Sequence, residues 1–174
     1  MKHLTNAVKM SVQHGNWYSA LTLALALPDI CSKVDEPSEK SVKKRYTRWA
    51  DQYFTPKYTH NIGPERREHV FLSSNDFYAL RCAVIHEGSD SVMLQKAREA
   101  LDRFQFIAPH PRGHIIHCNL LDTHLQLQVD KFCADVCEAV DEWHAGIKEG
   151  SDQALRVSEL MIIREFSDGE GISF

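Results

Sequence analysis

Residues 75–88 of the chain read Asn-Asp-Phe-Tyr-Ala-Leu-Arg-Cys-Ala-Val-Ile-His-Glu-Gly. The stretch begins with helix-capping residue types after Ser73 and Ser74 and ends on a glycine, as a short helix does. At about 100° per residue, its large apolar side chains form one broad arc. The residues of this arc are Phe77, Tyr78, Leu80, Val84 and Ile85. The pattern predicts a helix whose apolar face is buried in the core.

Arg81 lies inside this apolar arc, and His86 follows it near the end of the same helix. A guanidinium that points toward a core must be paired and fully hydrogen-bonded. Asp29, in the apolar second half of an earlier helix, is the best candidate for its partner. Arginine binds phosphate and histidine transfers protons near neutral pH, so Arg81 and His86 together suit phosphodiester chemistry.

The spacing between Arg81 and His86 is not informative by itself. Two other arginines precede a histidine at a similar spacing, Arg103 before His110 and Arg112 before His117. The place of Arg81 within an apolar helical arc distinguishes it from both. In an ideal helix Arg81 and His86 point about 140° apart. They converge only if the helix ends near Ile85, or if a partner subunit supplies one of them.

The run from Tyr78 to Gly88 resembles the Arg-x4-6-His motif of the HEPN superfamily. These proteins are small helical domains, and many of them are metal-independent ribonucleases of toxin–antitoxin, CRISPR and anti-phage systems. The resemblance implies a homodimer in which two motifs form one composite active site. It also implies that Arg81 binds and polarises the scissile phosphate, and that His86 acts on the ribose 2′-hydroxyl or the leaving oxygen. The product would carry a 2′,3′-cyclic phosphate.

A third helix, expected from about Glu39 to Phe54, combines an apolar stripe with a basic surface. The stripe consists of Val42, Tyr46, Trp49, Ala50 and Tyr53, and the basic residues are Lys40, Lys43, Lys44, Arg45 and Arg48. Cations attract RNA phosphates and aromatic faces stack on exposed bases, so these five basic residues are candidates for RNA binding. The alternative is a solvated helix face above an ordinary aromatic core stripe.

Length and composition indicate one soluble domain over residues 1–174. The chain has 43% apolar and 25% charged residues and a net charge of −4, which argues against a generic nucleic-acid binder but allows a local basic patch. No apolar run is long enough to span a membrane, and we expect no membrane partner. Five cysteines at irregular spacing argue against a disulfide framework and favour a cytoplasmic location.

The rest of the chain predicts a mainly α fold, a bundle of about five or six helices with a small antiparallel β insertion at residues 104–129. Helical spacing predicts helices at 3–14, from Asn16 past Cys31, at 91–103 and after Asp130 and Ser151. Short β-rich runs occur at 104–107, 115–118 and 125–129. Residues 55–72 are expected to form a long loop, residues 160–163 either helix or strand, and residues 168–174 a flexible tail.

A second candidate site is a group of metal-ligating residue types. Its members are His110, His114, His117, Cys118 and His124. Histidine and cysteine are good zinc ligands. On a strand, however, a separation of three residues points side chains to opposite faces, and no Cys-x2-Cys pair accompanies them. The sequence contains no glycine-rich phosphate loop either. We therefore predict neither a metal nor a cofactor.

Two functions remain open at this point. The first is a HEPN-like metal-independent endoribonuclease or RNA-binding protein that uses Arg81, His86 and Asp29, with Asp29 orienting Arg81. An antitoxin or another protein partner fits this reading. The second is a catalytically inactive helical module for interaction or dimerisation, in which Arg81 and Asp29 form a structural ion pair. In the enzyme Arg81 and His86 should line one open cleft, whereas in the module Arg81 should be buried against Asp29.

Overall fold

The computed structural model describes residues 1–85, 102–122 and 124–163, and within these ranges helices dominate. The helices are α1 (Lys2–Gln13), α2 (Trp17–Asp35), α3 (Val42–Tyr53), α4 (Ser74–Ile85), α5 (Val129–Ala145) and α6 (Asp152–Ser158). A single 3-10 turn, Thr55–Tyr58, follows α3. The mainly α fold with a small β insertion is confirmed.

Helix α2 is the central element of the bundle, because it contacts α1, α3, α4, α5 and α6. Its sequence is apolar on almost every side, which is typical of a helix surrounded by other helices. Pro28 lies within α2, yet the helix runs unbroken from Trp17 to Asp35. Asn16 caps its first turn by accepting a hydrogen bond from the backbone N–H of Ser19. Pro28 therefore does not divide the helix.

Helix α4 presents its apolar face to an aromatic cluster in the core. Phe77 and Leu80 are fully buried, and the ring of Phe77 stacks on Phe54 with centroids 3.9 Å apart. Phe132 of α5 meets both rings edge to face. The hydroxyl of Ser73 caps α4 by accepting from the backbone N–H of Asp76. This packing fixes the rotation of α4 about its axis and turns Arg81 inward, since Arg81 lies one turn after Phe77.

The segment expected as a long loop, residues 55–72, contains a β-hairpin. Strands β1 (Thr59–Ile62) and β2 (Arg67–Val70) pair antiparallel. Both strands are largely exposed, so they lack the apolar alternation that predicts a half-buried strand. Gly63 opens the connection with φ +72°, a left-handed conformation that favours glycine. In the sequence, the pair Gly63-Pro64 is the signal for this turn between β1 and β2.

The β insertion is a three-stranded sheet of β3 (Phe104–Ile107), β4 (Asn119–Leu121) and β5 (His124–Gln128), with β5 in the middle. β4 and β5 pair antiparallel, as expected, and β3 and β5 pair parallel, so the sheet is mixed. The connection between β3 and β5 crosses over and lets both strands run in the same direction. The strand expected at 115–118 lies instead at 119–121, as β4.

Several element boundaries also differ from the sequence expectations. Helix α3 begins at Val42 rather than near Glu39, because Ser41 is its cap and accepts from the N–H of Lys44. Residues 161–163 form neither helix nor strand. Most of the helix expected at 91–103, and the tail at 168–174, lie outside the described residues.

Two expectations about the environment of the chain can be compared with the structure. Within the described ranges, no helix combines the length and the apolar character that a bilayer span requires. All five cysteines are free thiols, namely Cys31, Cys82, Cys118, Cys133 and Cys137. The chain therefore has no disulfide framework.

Replacing Phe77 with alanine is expected to destabilise the fold by about 3–5 kcal/mol, because the change leaves a cavity beside Phe54 and Phe132. Urea denaturation followed by circular dichroism measures the loss. Tyr18→Ala is the control, since Tyr18 is 87% exposed and its removal should change the free energy of unfolding little. Equal losses in the two variants would contradict this description of the core.

Candidate functional site

Asp29 of α2 accepts hydrogen bonds from two arginines on two different helices. The Nη2 of Arg45, on α3, lies 3.1 Å from Oδ1 of Asp29. The Nη2 of Arg81, on α4, donates to Oδ2 of the same carboxylate. The predicted contact between Asp29 and Arg81 is therefore present, and Arg45 is a second partner that the sequence analysis did not assign to it. We call these three residues the Asp29 cluster.

The Asp29 cluster is largely withdrawn from solvent. Arg45 and Arg81 are each 9% exposed, and the side chain of Asp29 is 17% exposed. The Nε atoms of both arginines are buried and have no hydrogen-bond partner. Two guanidinium charges face one carboxylate charge, so the cluster carries a net charge of +1. A net positive charge that is partly withdrawn from water favours a further anion.

Tyr46 of α3 lies close to the Asp29 cluster. Tyr46 is fully buried and its hydroxyl donates to the carbonyl oxygen of Leu25. Burial raises the pKa of Tyr46 well above its usual value, and the charge of Asp29 adds to this effect.

For Arg81, burial acts to lower the pKa, but the Asp29 carboxylate outweighs this effect and raises the pKa. Arg81 is therefore charged at every physiological pH.

His86, the second residue of the predicted catalytic pair, lies outside the described residues. The described part of α4 ends at Ile85, directly before it. The catalytic roles of Arg81, His86 and Asp29 thus stay predictions, with the positions of Arg81 and Asp29 established.

The five basic residues predicted to bind RNA do not form one surface. Lys40, Lys43 and Lys44 are exposed, as expected for a backbone-binding surface. Arg48 is exposed as well, but it forms ion pairs with Glu36 and Glu39. Arg45 is buried in the Asp29 cluster. Its position had a sequence signal: three residues after Val42 and four before Trp49, it falls inside the apolar stripe of α3.

A second polar cluster, formed by Tyr58, His117 and Asp135, was not predicted. The hydroxyl of Tyr58 donates to Oδ2 of Asp135 at 2.9 Å, and Nε2 of His117 lies 3.3 Å from the same oxygen. The backbone N–H of Gln128 points at Nδ1 of His117 at 3.2 Å. The three side chains come from the 3-10 turn, the segment before β4 and α5. Their assembly depends on tertiary packing, and the spacing of these residues in the chain gives no sign of it.

The contacts of His117 oppose one another in their effect on its protonation. Burial lowers the pKa of His117, whereas the hydrogen bonds and charges of Asp135 and Cys118 raise it, and the result is a pKa of about 9. The N–H of Gln128 favours the neutral ring, because it needs an acceptor at Nδ1. The carboxylate of Asp135 prevails, so the ring is charged near neutral pH and joins the loop before β4 to α5.

The histidines considered as metal ligands do not assemble into a site. The rings of His110 and His114 lie 4.9 Å apart, while His117 belongs to the cluster with Tyr58 and Asp135. In the part of the chain that the structure describes, no group of three or more His, Cys, Asp or Glu residues has a metal-binding arrangement.

Comparisons of the chain with protein-family models, with curated proteins and with solved structures found no match. The case for a function therefore depends on the residues of this chain and on the geometry described above.

Replacing Asp29 with alanine is expected to destabilise the fold by about 3–5 kcal/mol, because two buried guanidinium groups then lose the carboxylate that they share. Asp51→Ala is the matched control, since Asp51 is an exposed aspartate on α3. Urea denaturation of both variants measures the difference. A loss of less than about 1 kcal/mol for Asp29→Ala, the size of a surface effect, would contradict the structural role of the cluster.

The raised pKa of His117 makes stability depend on pH. The folded pKa of about 9 exceeds the unfolded value of 6.5, so the stabilisation is complete below pH 6.5 and is lost as the pH rises toward 9. We expect the wild type to lose on the order of 1 kcal/mol over this interval relative to His117→Gln. Urea denaturation at pH 6.5 and pH 9 measures the change. Parallel behaviour of the two proteins would contradict the assignment.

Proposed function

We propose that the chain is a HEPN-like metal-independent endoribonuclease in which Arg81 binds the scissile phosphate. The observation that supports this most directly is the charge of the Asp29 cluster. One carboxylate holds two guanidinium groups, and the net positive charge is suited to one phosphate oxygen of RNA. Asp29 orients Arg81 and, because it is shared with Arg45, does not neutralise it.

The proposed reaction is an attack of the ribose 2′-oxygen on the adjacent phosphorus. The bond from phosphorus to the 5′-oxygen breaks, and a 2′,3′-cyclic phosphate and a free 5′-hydroxyl result. One proton leaves the 2′-hydroxyl and one proton reaches the 5′-oxygen, so the reaction consumes no cofactor. Arg81 stabilises the charge that develops on the phosphate oxygens, and His86 transfers a proton. A homodimer would supply two such pairs, one for each proton.

The exposed lysines of the α3 region would guide the RNA backbone to this site. Lys40, Lys43 and Lys44 are available at the surface, whereas Arg48 is already paired with Glu36 and Glu39. Contacts of this kind act on phosphates without reading sequence. A cytoplasmic location and a role in a toxin–antitoxin or defence system, with a protein antitoxin, belong to the same proposal.

The alternative function is a catalytically inactive helical module for interaction or dimerisation. The burial of Arg81 favours it, because only 11% of the arginine side chain is exposed and a phosphate needs access to it. In that case the Asp29 cluster only joins α2, α3 and α4. The two functions differ in what removing the Arg81 side chain does to activity and to stability.

An RNA cleavage assay separates these functions. Wild-type protein is incubated with a mixed RNA pool in the presence of EDTA, and the product ends are analysed for 2′,3′-cyclic phosphate. We expect cleavage by the wild type and at least a hundredfold loss in both Arg81→Ala and His86→Ala. Arg81→Ala should remain folded, because Asp29 keeps Arg45 as a partner.

Arg112→Ala is the matched control for this assay. Arg112 precedes His117 by the same spacing but is exposed and lies far from α4 in the sequence. Its removal should leave cleavage unchanged. Cleavage that persists in folded Arg81→Ala would contradict the proposed role of Arg81. No cleavage by the wild type, together with unfolding of Arg81→Ala, would favour the inactive module.

A further inference from the structure

A groove of about 530 Å³ lies next to the Asp29 cluster, between α2, the segment after it, Arg45 of α3 and the C-terminal end of α6. Its walls include Ile30, Val34, Pro37 and Leu160, and its volume is within the range of small-molecule sites in proteins. Apolar side chains that line an open groove bind the flat apolar part of a ligand by removing it from water.

Charged side chains border this apolar groove unevenly. Lys33, Arg45 and Arg156 contribute three positive charges, and Asp29 and Glu159 contribute two negative charges. Asp29 is already held by Arg45 and by Arg81, which does not line the groove. The border therefore carries an excess of positive charge, and this excess favours a ligand with an anionic group.

Two of the cations are held in place by neutral partners. The Nε of Arg156 donates to the carbonyl oxygen of Val34 at 2.7 Å, and the ammonium of Lys33 donates to the carbonyl oxygen of Pro37 at 2.7 Å. A carbonyl oxygen positions a cationic group without neutralising its charge. The ammonium of Lys33 and the guanidinium of Arg156, which also interacts with the charge of Asp35, remain suited to a carboxylate or phosphate at the groove.

We propose that this groove binds a small organic anion, with an apolar or aromatic body against Ile30, Val34 and Leu160 and a carboxylate or phosphate paired with Arg156 and Lys33. Arg45 lies at the inner end of the site and connects it to Asp29. The proposal goes beyond the proposed ribonuclease function, because the binding it describes does not require cleavage of RNA.

Arg45 and Asp29 belong both to the Asp29 cluster and to the lining of the groove. The carboxylate of Asp29 is already held by Arg45 and Arg81, so Lys33 and Arg156 are the cations of the border that face an anionic group most directly.

Isothermal titration calorimetry with four probes tests the proposal on the full chain. Phenyl phosphate and benzoate carry both an aromatic body and an anionic group, whereas inorganic phosphate carries only the charge and benzyl alcohol only the body. We expect at least one of the two aromatic anions to bind at least tenfold more tightly than both inorganic phosphate and benzyl alcohol. Preference for phenyl phosphate or for benzoate identifies the anionic group.

Two variants locate the binding. Arg156→Gln removes the charge and Leu160→Gln removes part of the apolar wall, and each is expected to weaken binding of the preferred probe at least tenfold. Arg67→Gln, an exposed arginine of the hairpin, is the matched control and should bind like the wild type. Leu160→Gln keeps the test valid if Arg156→Gln loosens α6.

Two results would contradict binding of an aromatic anion in the groove. Binding of the aromatic anions no tighter than that of inorganic phosphate or benzyl alcohol would overturn the proposal. Unchanged affinity in both folded groove variants would also overturn it, because the probe would then bind elsewhere on the chain.

Discussion

The carboxylate of Asp29 is shared between Arg45 and Arg81. It joins α2, α3 and α4 at one point, and its position requires that each helix present a polar group at the edge of an otherwise apolar core. A buried ion cluster is a weak source of stability, because desolvation offsets much of the attraction. Its value lies in specifying how the three helices are rotated against each other, and in placing two positive charges on one carboxylate.

The aromatic core provides the rigidity that this arrangement requires. Phe54, Phe77 and Phe132 pack on one another from three elements and fix α4 against α5 and the end of α3. Arg81 follows Phe77 by one helical turn, so the stacking of Phe77 also determines where the guanidinium points. Arg81, the candidate phosphate-binding residue, is therefore positioned by apolar packing on one side and by Asp29 on the other.

Much of the helical fold and one of the two ion pairs of the Asp29 cluster could be predicted from the sequence, because apolar residues at a period of 3.6 indicate which side of a helix is buried. Arg81 inside an apolar arc indicated the pair with Asp29. Arg45 was grouped with the neighbouring lysines, although its spacing from Val42 and Trp49 placed it in the buried stripe. The parallel pairing of β3 with β5 could not be predicted, since a period of two gives no strand direction. The cluster of His117 with Tyr58 and Asp135 arises only from tertiary packing.

The most direct test of the account is whether RNA contacts Arg81. In a protein labelled with ¹⁵N, the Nε–H resonance of Arg81, assigned by comparison with Arg81→Lys, is followed while a 2′-O-methyl RNA oligonucleotide that cannot be cleaved is added. We expect this resonance to shift and binding to weaken in Arg81→Lys, because a phosphate engages the net positive charge of the Asp29 cluster. An oligonucleotide that binds only at Lys40, Lys43 and Lys44, with the Arg81 resonance unmoved, would contradict it.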